Sequence, residues 1–200
     1  TFISVIIISL LILVNNTQAA QPGAANVGIT FGTGFYQVVN DPRINAYNHN
    51  YGLNLQVFDD TEVGIYREFL KTEVNDEFDD VKVDAHASVQ INEIRISRTI
   101  IPQLVDVALG FGWASIKASY VSQGVARGSE SFEVPVVDLL GRVTAIKVSR
   151  DKFDARVYVD LGYRFVEIKN FDVTVAAGET EVLDVYANGV LANLGAAVYF

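Results

Sequence analysis

From Val190 to Phe200 every second residue is apolar: Val190, Ala192, Leu194, Ala196, Val198 and Phe200 alternate with Leu191, Asn193, Gly195, Ala197 and Tyr199. A period of two predicts a β-strand with one wholly apolar face and one small or mixed face. A strand between lipid and a barrel lumen has this pattern. The same period recurs upstream. Tyr51, Leu53, Leu55 and Val57 oppose Gly52, Asn54 and Gln56, then an Asp59-Asp60-Thr61 turn and a return strand from Val63 predict a hairpin. Val81, Val83, Ala85, Ala87, Val89 and Ile91 share a face opposite Lys82, Asp84, His86, Ser88 and Gln90. Further strands are predicted at Leu104 to Ser119, with Val105, Val107, Leu109, Phe111 and Trp113 on one face, at Val134 to Val148, and from Phe153 to Phe165. With a Gly-rich first strand at Val27 to Tyr36 and a closing strand over Val182 to Phe200, the count is eight. No stretch shows the 3.6-residue period of a helix.

Alternation states which residues share a face, and leaves open which medium that face meets. A soluble barrel would turn its apolar face inward, a membrane barrel outward. Two further features favour the membrane. Short turns alternate with longer polar loops, expected at 37–50, 74–80, 122–132 and 168–181. Residues 2–14 are apolar apart from Ser4 and Ser9 and lead through Asn15 and Asn16 to Thr17-Gln18-Ala19-Ala20, the form of a secretory signal peptide with a small-residue cleavage site. An apolar run of roughly 13 residues is too short to cross about 30 Å of hydrocarbon. The expected division is therefore a signal peptide at 1–20, missing its first few residues, and one barrel domain at 21–200. In the return strand the phase that sends Val63, Ile65 and Phe69 outward also sends Arg67 outward, at about 2–4 kcal/mol if it sat at mid-membrane. A bulge or a place near the interface would remove that cost.

Composition narrows the chemistry. The formal charge of −9 excludes nucleic acid as the expected partner, because a phosphate-binding surface needs clustered Lys and Arg. The chain has no Cys and two His, so Cys-based sites are ruled out, and neither a metal site nor a cofactor is expected. There is no Walker loop and no Gly-x-Ser-x-Gly elbow, and Gly32-Thr-Gly34 and Gly110-Phe-Gly112 fall inside strands.

The run Val157-Tyr-Val-Asp-Leu-Gly-Tyr-Arg-Phe165, a loop, and Val182 to Phe200 resemble the final hairpin of small eight-stranded outer-membrane barrels of the OmpA transmembrane, OmpW and opacity-protein type. The short acidic turn and the Val-Gly-Ile after it are similar to the OmpW group. The resemblance implies an all-β, eight-stranded antiparallel up-and-down transmembrane barrel in the bacterial outer membrane. Phe200 and Val198 would act as assembly signal for the barrel-assembly machinery, and outer-membrane lipid and lipopolysaccharide would surround the barrel. It covers the barrel alone, so a cell-wall anchoring role is not expected.

Eight strands enclose a space just wide enough for side chains to fill. The expected interior residues Lys82, Asp84, His86, Arg142, Arg156, Asp160 and Arg164 carry both signs and would pair as an ionic network that plugs the lumen. The same residues could instead line a narrow polar path. The expected function is a structural or surface-interaction role through the outer loops. The alternatives are a narrow channel or transporter for small or apolar solutes, as in the OmpW group, and a soluble lipocalin-like barrel. His86-Ala87-Ser88 resembles the His-x-Ser pair of outer-membrane lipid A deacylases, but Val89 stands where those enzymes carry Asn. The pair is also expected on the polar face, so no enzyme is expected.

Overall fold

The computed structural model describes residues 27–40, 44–78, 81–122, 126–150, 153–174 and 180–200, and the side chains of 27–40, 44–73, 86–119, 131–149, 154–167 and 187–200. The expected signal peptide, 1–20, lies outside the described residues. The strands are β1 Val27–Val38, β2 Asn45–Phe58, β3 Thr61–Phe78, β4 Val81–Ile101, β5 Val105–Ser122, β6 Ala126–Arg150, β7 Phe153–Thr174, β8 Thr180–Tyr186 and β9 Gly189–Tyr199. Each pairs antiparallel with its neighbours, and β1 pairs with β9, so the sheet closes on itself. β8 and β9 both run along β7 and together form the eighth stave, interrupted at Ala187-Asn188. There the Asn188 side chain accepts a hydrogen bond from the Val166 amide at 2.8 Å and replaces a missing ladder bond.

Closure requires stagger. A row of paired residues that leaves β1 at Gly28 passes through Asn54, Gly64, Arg95, Gly110, Asp138, Arg164 and Gly189 and returns to β1 at Val38, ten residues further on. Strands that are tilted and sheared in this way leave an interior that side chains must fill.

The outer face carries the apolar residues. Ile29, Phe31, Leu53, Leu55, Ile65, Ile94, Leu139, Leu161 and Leu194 all point out, Ile65 being 65 % exposed. Soluble monomers do not present a continuous apolar girdle of this kind, so the barrel spans a membrane and the soluble alternative is discarded. On β5 the band runs from Val105 to Trp113, close to the roughly 9–11 residues a tilted transmembrane strand needs.

Strands β3 to β7 hold 18 to 25 residues, well beyond that need, and the surplus projects at one end, where β1 joins β2, β3 joins β4, β5 joins β6 and β7 joins β8. This loop end is built differently from the sequence expectation. Much of 45–50, 74–78, 126–132 and 168–174 continues the ladders as strand. The connections there are shorter because antiparallel pairing satisfies backbone groups that a loop would leave to water. The opposite, turn end holds Asp59-Asp60, Pro102 to Leu104 and the ends of β6 and β7 at Arg150 and Phe153.

Passing the membrane boundary inverts the pattern. On β4, Val89 and Ile91 point inward, whereas His86, Ser88, Gln90 and Asn92 point outward. This corrects the assignment of Val89 and Ile91 to lipid. Above the hydrocarbon the outside is water, so the polar face turns out and the apolar face packs within. Lower on the same strand Ile94 is exposed to lipid while Glu93 and Arg95 are buried.

Candidate functional site

Three layers fill the barrel. Nearest the loop end is an apolar layer of Tyr36, Val38, Leu70, Ile91, Val134, Val136, Val166 and Leu191, with Val89, Ile116 and Phe132 packed against it. The Tyr36 hydroxyl donates to the Ala187 carbonyl and ties β1 to the break in the eighth stave.

Beneath it lies an ionic layer. Arg164 on β7, 1 % exposed, donates to Asp138 on β6 through Nε (2.8 Å) and Nη2 (2.6 Å), and to Glu68 on β3 through Nη1 (3.0 Å) and Nη2 (2.9 Å). All five of a guanidinium's donors lie in one planar fork, which suits it to bridging two carboxylates. Arg95 on β4 donates to Glu93 at 2.9 Å and stands 3.8 to 4.0 Å from Glu68, Asp138 and Asp160. Arg142 forms a two-bond pair with Asp160, at 2.7 and 3.0 Å. Asn48 donates to Glu68 at 2.9 Å, and the Tyr66 hydroxyl to Asn54 at 2.7 Å. Aromatic faces complete the packing: Arg142 lies 3.7 Å over Tyr158 and Arg95 lies 4.3 Å over Tyr66.

At the turn end a looser third layer joins Arg156 to Asp154 (3.1 Å) and Glu62 (3.2 Å), with Lys147 on Asp154 at 3.2 Å. The Tyr199 hydroxyl donates to Glu62 at 2.9 Å.

Glycines make this layering sterically possible. Gly28, Gly64, Gly110 and Gly189 sit on the same paired row as Arg95, Asp138 and Arg164. A Cβ at Gly110 would overlap the Glu93 carboxylate, and one at Gly64 would overlap the Asn54 amide oxygen. Small residues on some staves admit the long charged ones on others.

Of the residues expected in the lumen, Arg142, Arg156, Asp160 and Arg164 are inside. His86 is not. It points outward, with Nδ1 3.7 Å from the Glu73 carboxylate and its side chain 53 % exposed. The reason is the inversion on β4, which turns His86 and Ser88 to the outside. Among the described residues no hydrogen bond joins these two. The side chains of Lys82 and Asp84 lie outside the described residues. Phe200 and Val198 point outward, on the lipid side of β9.

Sequence reasoning missed Glu68, Glu93, Arg95 and Asp138, the centre of the network. A signal for all four was present: each has the opposite parity to a lipid-facing neighbour, Glu68 to Ile65, Glu93 and Arg95 to Ile94, and Asp138 to Leu139.

No protein-family model and no curated protein matches the chain. Solved structures do. The outer membrane protein OprG from Pseudomonas aeruginosa is similar at 10% identity over 88% of this chain and 96% of that chain, with a TM-score of 0.50. Ail, the attachment invasion locus protein of Yersinia pestis, is similar at 14% identity over 87% and 95%, with a TM-score of 0.46. The N-terminal β-barrel domain of Pseudomonas aeruginosa OprF is similar at 12% identity over 88% and 98%, with a TM-score of 0.44. At these identities the likeness is one of fold. The chain is an eight-stranded β-barrel of the bacterial outer-membrane type.

Proposed function

We propose that this protein is a sealed outer-membrane barrel that acts through its loop end, as a structural or surface-interaction protein, and does not conduct solutes. The observation that carries the reading is the seating of Arg164. It is buried, holds Glu68 and Asp138 together with four hydrogen bonds, and lies beneath an apolar layer. An ion crossing the barrel would have to break a paired charge cluster and then shed its water to pass Leu70, Ile91, Val136 and Leu191, and both steps are costly.

The orientation follows from the connections: outer-membrane barrels place short turns in the periplasm and longer connections outside. The paired strands of β3–β4, β5–β6 and β7–β8 then extend above the outer surface and present that end of the barrel to partners such as host, phage or neighbouring-cell surfaces. In Phe200 and Val198, which face lipid, the assembly machinery would find its recognition residues.

The experiment is refolding of the chain into detergent, confirmation of the barrel by heat-dependent gel mobility, and single-channel recording in a planar bilayer. A heat-modifiable barrel without conductance is the expected result. Discrete, ion-selective steps would overturn the sealed barrel and make the protein a channel.

A further inference from the structure

Nine cationic side chains are described in full. Six of them, Arg95, Arg98, Arg142, Lys147, Arg156 and Arg164, are ion-paired to carboxylates of the chain. The other three, Arg67, Lys71 and Lys117, have no carboxylate within ion-pair distance among the described residues, and all three are exposed on the outer face. They also lie together. Arg67 and Lys71 are two alternate positions apart on the outer face of β3. Lys71 pairs with Ser88 on β4, which pairs with Lys117 on β5, so one outward row reads Lys71, Ser88, Lys117. Two rows nearer the turn end, Tyr51, Arg67, Asn92 and Trp113 follow one another across β2 to β5. The Arg67 Nε donates to Asn92 at 2.7 Å, which orients the guanidinium along the barrel wall.

The height of this cluster is set by its neighbours. Trp113 and Tyr51 end the apolar bands of their strands, as aromatic residues do at a membrane interface. Arg67 is therefore at the headgroup level, where an outward Arg escapes the penalty it would meet at the membrane midplane, and Lys71 and Lys117 stand just above it. The flanking acids are engaged elsewhere: Glu73 faces His86, and Glu133 accepts from the Ser115 hydroxyl at 3.3 Å. In a chain of formal charge −9, a group of cations at the lipid boundary without a carboxylate partner among the described residues is placed to take its counter-charge from the membrane itself.

We propose that the outer face of β3 to β5 binds the phosphate of a phosphorylated glycolipid of the outer leaflet, with Arg67, Lys71 and Lys117 on the phosphate, Ser88 and Gln90 available to its sugar hydroxyls, and the acyl chains on the apolar band below Trp113. The inference rests on the barrel spanning the membrane with its loop end outward and is independent of what the loop tips bind.

The test uses the refolded full chain and native mass spectrometry with a bis-phosphorylated lipid A and its dephosphorylated counterpart of the same acyl composition. The wild type should retain the phosphorylated lipid. The triple variant Arg67→Gln, Lys71→Gln, Lys117→Gln should bind it weaker by on the order of a hundredfold, since each surface cation contributes about a factor of five to attraction for an anionic lipid. All three side chains point away from the packed interior, and heat-dependent gel mobility verifies that the variant is folded; Lys71→Gln with Lys117→Gln serves if the triple variant does not fold. Equal retention of the two lipids, equal binding by a folded variant, or full displacement by millimolar inorganic phosphate would each overturn the proposal. None of these readouts depends on conductance, so the sealed-lumen reading stands or falls separately.

Discussion

Arg164 and Glu68 are 96 residues apart and meet across the barrel interior, with Nη1 3.0 Å from Oε1 and Nη2 2.9 Å from Oε2. β3 and β7 share no ladder, so this contact ties together staves that backbone pairing leaves apart. Because both side chains are about 1 % exposed, each depends on the other for the solvation that burial removed.

Glu68→Ala leaves the Arg164 guanidinium half-paired and Asn48 without its acceptor. A loss of about 3–5 kcal/mol is expected, measured by urea titration of the vesicle-refolded barrel through Trp113 fluorescence. The combined Glu68→Met, Asp138→Leu, Arg164→Met change removes all three charges and should cost less than Glu68→Ala alone. A larger loss would mean that the network contributes net stability of its own.

Gly110→Ala drives a methyl group into the Glu93 carboxylate and should destabilise by about 1–3 kcal/mol, as overpacking does. Gly141, whose added Cβ would meet only the Leu161 carbonyl at 3.8 Å, is the control. Gly141→Ala should be near neutral in the same titration.

Leu109 lies at the middle of the outer apolar band on β5, whereas Gln90 lies outside it on β4. Leu109→Arg should cost about 2–4 kcal/mol and Gln90→Arg about 0–1. Equal penalties at the two sites would misplace the hydrocarbon boundary.

At the turn end, Arg156→Ala frees Glu62 and Asp154 and opens the third layer. The bilayer should nevertheless stay non-conducting, because the Arg164 cluster and the apolar layer above it are untouched. Ohmic steps from this variant alone would show that those two layers do not seal the barrel.

Phe200 lies on the lipid face, its amide donating to the Val27 carbonyl at 2.9 Å where β9 meets β1. Phe200→Ser should lower the yield of membrane-assembled barrel in cells far more than it lowers the stability of barrel refolded in detergent. Unchanged assembly would count against an assembly role for this residue.

The sequence by itself determined the eight staves and, for β2, β5, β7 and β9, which residues share the apolar face, because alternation in steps of two is a local property of the backbone. Val157, Leu161 and Phe165 could be placed on one face of β7, and Arg156, Asp160 and Arg164 on the other, without any knowledge of their neighbours. Tertiary structure decided two things. It set the height of each residue relative to the membrane, so β4 turns an apolar residue to lipid only below Asn92, at Ile94, whereas above it Val89 and Ile91 turn inward and His86 outward. It also set register around a closed, sheared barrel, and that register alone brings Glu68 of β3, Arg95 of β4, Asp138 of β6 and Arg164 of β7 together. Local alternation reports the face of a strand, whereas the medium beyond that face and the charge across from it depend on where closure places the strand.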